Sequence, residues 1–125
     1  MIVGSGVDLC EVPRVESAIS RHGRRFIERI FTPREIAYCE SKANKFERYA
    51  ARFAAKEAGM KALGTGMRGG ITWQDFEVIN LPSGRPTLKF SGKAAAVAQK
   101  LAVANVVLSM THTSQQAMAM VILEN

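Results

Sequence analysis

The chain has 125 residues, 47% of them hydrophobic, and a net charge of +6. It is long enough for one domain with a real core, spanning 1–125, and too apolar for an intrinsically disordered segment. Nowhere does it reach the ~20 consecutive apolar residues of a membrane span.

Met1–Leu9 has neither the basic start nor the long apolar run of a secretion signal. A cytoplasmic location is expected, with no membrane partner. Cys10 and Cys39 match no metal-ligand or redox spacing and read as plain thiols. The positive charge suggests a polyanionic partner: a phosphorylated ligand, an acidic protein, nucleic acid or a membrane surface. It gathers in Arg14, Arg21, Arg24, Arg25 and Arg29, then in Lys42, Lys45, Arg48, Arg52, Lys56 and Lys61.

In chain order, Ile2–Leu9 reads as a short strand. Pro13–His22 reads as a helix with Val15, Ala18 and Ile19 on one face, ended by Gly23. Arg24–Ile30 is a short amphipathic segment. Thr32-Pro33-Arg34-Glu35 is a helix start, with Thr as N-cap, Pro at N1 and Glu at N3. A long central helix spans Lys45–Leu63 and ends at Gly64. The loop Gly64–Gly70 lacks the Lys-Ser/Thr of a phosphate-binding Walker loop. Ile71–Asn80 and Thr87–Phe90 read as strands, Gly92–Leu101 as a helix, and Asn105–Thr111 and Ala117–Leu123 as strands. The last is apolar on both faces, which predicts a central, covered strand. The sum is an α+β domain.

The central helix carries the chemistry. At about 100° per residue, Phe46, Tyr49, Ala50, Phe53 and Met60 share a face, and Glu57 falls about 40° from Phe53. A carboxylate on a burying face is costly unless a cation, a metal or hydrogen bonds meet it. Lys61, one turn on, is placed to meet Glu57. A divalent ion also fits, if Asp8 comes close. The alternative is that Glu57 forms a plain ion pair and Asp8 caps a turn before Pro13. Arg52, Lys56 and Lys61 either solvate the helix flanks or cradle a phosphate. His112, near a strand end, reads more readily as a surface or packed residue than as a catalyst. The arginine-rich first helix suits a nucleic-acid face or an acidic protein; no aromatic-interleaved, zinc or helix-turn-helix pattern accompanies it.

Taken together, these residues resemble a known family. Gly6-Val7-Asp8, Arg52-Phe53-Ala54-Ala55-Lys56-Glu57-Ala58, Lys61-Ala62-Leu63-Gly64 and Ser109-Met110-Thr111-His112 are similar to the holo-[acyl-carrier-protein] synthases, the small bacterial-type 4′-phosphopantetheinyl transferases. Phe31–Glu35, Gly64-Thr65-Gly66, Gly84-Arg85-Pro86 and the Ala117/Ala119/Val121 strand follow in the same order. Thr111 departs from the serine expected before the histidine but keeps a hydroxyl.

The resemblance implies a mostly antiparallel sheet packed on the long helix. It also implies one half-unit of a larger two-half fold, assembling as a homotrimer with sites shared between copies. The implied reaction moves phosphopantetheine from coenzyme A to a serine of apo acyl carrier protein, releasing adenosine 3′,5′-bisphosphate. Magnesium is the implied cofactor, held by Asp8 and Glu57. Lys61 would neutralise phosphate charge, and Glu57 or Glu35 would take the serine proton unless a metal-bound water does. Arg52, Lys61, Gly64, Gly66 and His112 are implied for coenzyme A, and Arg14, Arg21 and Arg24 for the acidic carrier, with no nucleic acid involved. The rival reading is a basic, non-enzymatic adaptor for acidic protein or RNA, which has no need of Asp8 or Glu57.

Overall fold

The structure is a computed structural model describing residues 1–125. The elements run β1 (Ile2–Glu11), α1 (Val12–His22), α2 (Arg24–Ile30), α3 (Pro33–Glu40), α4 (Lys45–Leu63), β2 (Phe76–Asn80), β3 (Pro86–Phe90), α5 (Gly92–Lys100), β4 (Asn105–His112) and β5 (Gln116–Glu124). The architecture is α+β and every strand pairing is antiparallel. One sheet has the order β1-β5-β4; β2 and β3 form a separate hairpin.

Local signals act as the sequence predicts at several points. Thr32 and Glu35 form a reciprocal capping box at the start of α3. Gly64 ends α4 in the left-handed conformation, with φ 77°. One expected strand is shorter. Residues Trp73–Asp75 form a 3-10 turn and extended structure begins only at Phe76. The Thr72 hydroxyl donates to Asp75 Oδ1 at 2.9 Å, and the Thr72 amide donates to Asp75 Oδ2. These local bonds give the backbone an alternative to a ladder.

α4 differs most from its expected packing. From Tyr49 to Leu63 every residue is buried except Phe53, Glu57 and Lys61. The sheet covers one side of the helix, the β2-β3 hairpin another, and α1 and α3 pack on it as well. Of the stripe expected to bury, Tyr49, Ala50 and Met60 are buried, but Phe53 and Glu57 reach the surface, in line with Lys61 at i, i+4 and i+8. Gly59 belongs to the same packing: a Cβ there would stand 2.6 Å from Leu88 Cδ2 of β3.

β5 is central, as its sequence predicts, but only one of its faces is covered within the chain. Ala117, Ala119, Val121 and Leu123 are buried against α4 and the rest of the core. Met118 and Met120 are 43% and 41% exposed, beside Val7 and Leu9 of β1, which are exposed too.

Candidate active site

The site begins with three alternate residues of β1. Gly4, Gly6 and Asp8 share the face turned to α4. A Cβ at Gly4 would lie 2.1 Å from the Ala62 carbonyl oxygen, and one at Gly6 2.1 Å from that of Ala58. Only glycine lets the strand come so near the helix. Asp8, next on that face, is brought against the open edge of α4.

There the expected residues meet, with one change of partner. Lys61 Nζ donates to Asp8 Oδ1 at 3.0 Å and to the Val7 carbonyl oxygen at 3.1 Å. Its ion pair is with Asp8, not with Glu57. Glu57 lies within hydrogen-bonding reach of Asp8. Burial first, then the Asp8 charge, holds its carboxyl above the ordinary range, with Lys61 opposing. Glu57 is thus a half-buried carboxylate beside another carboxylate, only partly compensated.

A cleft of about 340 Å³ opens onto this pair, lined among others by Asp8, Cys10, Arg14, Phe26, Phe53 and Glu57. Burial and the two carboxylates push the Cys10 thiol up to about 11, so it stays protonated and unreactive near neutrality. Across Phe26 and Phe53 lies a second groove, of about 580 Å³, edged by His22, Arg25 and Arg29 and floored by Ile30 and Trp73. Phe53 stacks on Trp73 with ring centroids 4.9 Å apart.

Several expected site residues stand elsewhere. Glu35 is not at the cleft. It is 1% exposed, accepts from the Thr32 and Val78 amides at 2.9 and 2.8 Å, and pairs with Lys56 Nζ at 2.8 Å. That removes it from the candidates for serine deprotonation. Lys56 is no phosphate cradle either. It is fully buried and donates to the Trp73 and Phe76 carbonyls as well as to Glu35. Arg52 does not solvate a helix flank: it is buried, its guanidinium lies 4.0 Å from the Tyr38 ring centroid, and its Nε has no partner.

Arg52 also lies about 140° around the helix from Glu57. His112 is away from the cleft, with Nδ1 2.9 Å from Glu47 Oε1. Gly64 and Gly66 follow Lys61 at the end of α4, both with positive φ. Of the basic docking candidates, Arg14 lines the cleft and Arg21 is exposed on α1, whereas Arg24 is tied to Glu28 at 2.7 Å. In the sequence Phe53 reads as part of a burying stripe and Trp73 as part of a strand. Neither carries a local signal of its position beside the cleft.

The family model described as 4′-phosphopantetheinyl transferase superfamily matches residues 4–121. A holo-[acyl-carrier-protein] synthase of Solibacter usitatus is 66% identical over 125 residues, covering all of both chains. The crystal structure of the synthase from Neisseria meningitidis superposes with a TM-score of 0.90 at 30% identity, again over the whole of both chains. That from Bacillus anthracis, in complex with CoA (3′,5′-ADP), has a TM-score of 0.80 at 36% identity and covers 98% of this chain and 96% of its own. The chain belongs to the 4′-phosphopantetheinyl transferase superfamily, among the holo-[acyl-carrier-protein] synthases.

Proposed function

We infer that this chain transfers 4′-phosphopantetheine from coenzyme A to a serine of an apo acyl carrier protein. The observation that carries the reading is the meeting of Asp8, Glu57 and Lys61 at one cleft. The serine oxygen forms a bond to the β-phosphorus of coenzyme A. The bond from that phosphorus to the bridging oxygen breaks, and adenosine 3′,5′-bisphosphate leaves. Such a displacement depends on positioning and on neutralising charge.

Asp8 and Glu57 would hold magnesium. The donor set fits: two adjacent carboxylates, compensated only in part by Lys61, suit a hard cation whose other ligands are water and phosphate oxygens. Bound there, the ion would supply positive charge to the pyrophosphate and its leaving group. Lys61, held beside Asp8, brings a second positive charge to the same place. With Glu35 engaged in the core, Glu57 is the carboxylate of the expected two that stands where it can take the serine proton.

The carrier docks beside the cleft. Arg14 stands at its edge, and Arg25 and Arg29 border the adjoining apolar groove. An acidic surface with an apolar anchor complements both. Coenzyme A would also touch Arg52, Gly64, Gly66 and His112. Arg52 and His112 do not line the Asp8–Glu57 cleft in one chain, and a ligand shared between two copies would bring both groups to it. The exposed Val7, Leu9, Met118 and Met120 face supports that assembly, which we take to be a homotrimer. No helix is long and apolar enough to cross a membrane, and both cysteines are free; the cytoplasm is the proposed location.

The test is an intact-mass assay on an apo carrier with coenzyme A and magnesium, with and without chelator. Addition of one phosphopantetheine mass, abolished by chelator, is the expected result. A carrier of unchanged mass would refute the transferase reading. Carrier modified equally well in chelator would refute the metal assignment alone.

A further inference from the structure

Glu47 lies in the first turn of α4, where an acidic side chain suits the helix N-terminus. Its neighbours in sequence are cations, yet they are engaged elsewhere. Lys45 pairs with Glu40 at 3.4 Å, and Arg48 donates to Asn44 Oδ1 and Tyr38 Oη. The side-chain partner of Glu47 is His112, the last residue of β4, with Nδ1 2.9 Å from Glu47 Oε1. Both side chains are 24% exposed. A helix start and a strand end are thus joined through one imidazole edge, with the other edge left for a ligand.

We propose that Glu47 is a positioning residue for coenzyme A, acting through His112. The proposal rests on the transferase reading above. A carboxylate at Nδ1 requires a proton there, which fixes the orientation of the ring and directs Nε2 outward. A phosphate oxygen at Nε2 requires a second proton. Only the imidazolium satisfies both, and Glu47 balances its charge. Without Glu47 the ring loses its side-chain anchor and the negative charge that balances the imidazolium, so an anionic ligand meets an oriented, doubly protonated ring less often.

The experiment combines kinetics and spectroscopy on the full chain. In Glu47→Ala, KM for coenzyme A should rise about tenfold, with kcat changed less than about twofold and carrier KM unchanged. Glu47→Gln, which keeps the shape and an acceptor oxygen, should fall between and guards against a folding defect. In a His112→Ala background, Glu47→Ala should add nothing, because the pair acts as a unit. Nitrogen-15 spectra of the coenzyme A complex should show both ring nitrogens protonated in the parent and a smaller doubly protonated fraction in Glu47→Ala.

An unchanged coenzyme A KM in both Glu47 variants would overturn the proposal. So would an equal loss from Glu47→Ala with and without His112, or a bare Nδ1 in the parent. A parent chain that leaves the apo carrier unmodified would overturn the transferase reading and this proposal with it. An active parent with an unresponsive Glu47 overturns this proposal alone.

Discussion

Lys61 reaches from α4 to Asp8 at 3.0 Å and leaves Glu57 without an ion pair of its own. Burial first, then the Asp8 charge, holds the Glu57 carboxyl above its ordinary 4.5. A carboxyl with a raised folded-state value contributes stability at low pH and loses it as pH rises through that value. Stability should therefore decline as pH rises from about 4.5 through the raised value in metal-free protein. Glu57→Gln should flatten this decline in thermal melts while lowering transferase activity at least about 100-fold. Magnesium should stabilise the parent above that window and leave Glu57→Gln almost unchanged. A parent melting curve indifferent to magnesium at neutral pH would count against the two-carboxylate site.

The close approach of β1 to α4 makes Gly6 a sensitive position. A methyl group 2.1 Å from the Ala58 carbonyl oxygen forces strand and helix apart. Gly6→Ala should cost about 2–3 kcal/mol in urea denaturation. It should also lower activity in the fraction that folds, because Asp8 rides on the displaced strand. Wild-type stability in this variant would contradict the packing described.

Glu35 and Lys56 form a buried pair that joins α3, α4 and β2. Removing one member strands the other, at a cost of about 3–5 kcal/mol. Glu35→Ala and Lys56→Met should each show that loss in denaturant. Activity per folded molecule should stay near the parent's under stabilising conditions. If folded Glu35→Ala turned over a hundredfold more slowly, Glu35 would have to be reinstated as a proton acceptor.

The apolar face of β1 and β5 needs a cover. Met120→Glu places a charge in its middle and should shift sedimentation from the assembled species to the single chain. Activity should fall in parallel, since a single chain separates Arg52 and His112 from Glu57. An assembled, active Met120→Glu would place the interface elsewhere.

Arg14 lines the cleft while Arg24 is already paired with Glu28. Arg14→Glu should thus raise the carrier KM more than Arg24→Glu does. The difference should shrink as salt rises from about 0.01 to 1 M, because exposed charges are screened. Equal effects at low salt would argue for a docking surface centred on α2 rather than on the cleft.

What the sequence determined by itself was local. The Thr32–Glu35 box, the span of α4 and the Gly64 stop all rest on interactions between residues a few positions apart. The motif order also sufficed to bring Asp8, Glu57 and Lys61 into one hypothesis. Their partners were decided by the tertiary structure. A helical period assumes one buried face, but α4 is enclosed by a sheet, a hairpin and other helices, so the open stripe is whatever they leave uncovered. That enclosure left Glu57 half-buried at an open edge, buried Arg52 and Lys56, and turned Glu35 inward. The pairing of Lys61 with Asp8 depends on two glycines letting β1 lie against the helix, a relation between distant segments that no local pattern encodes.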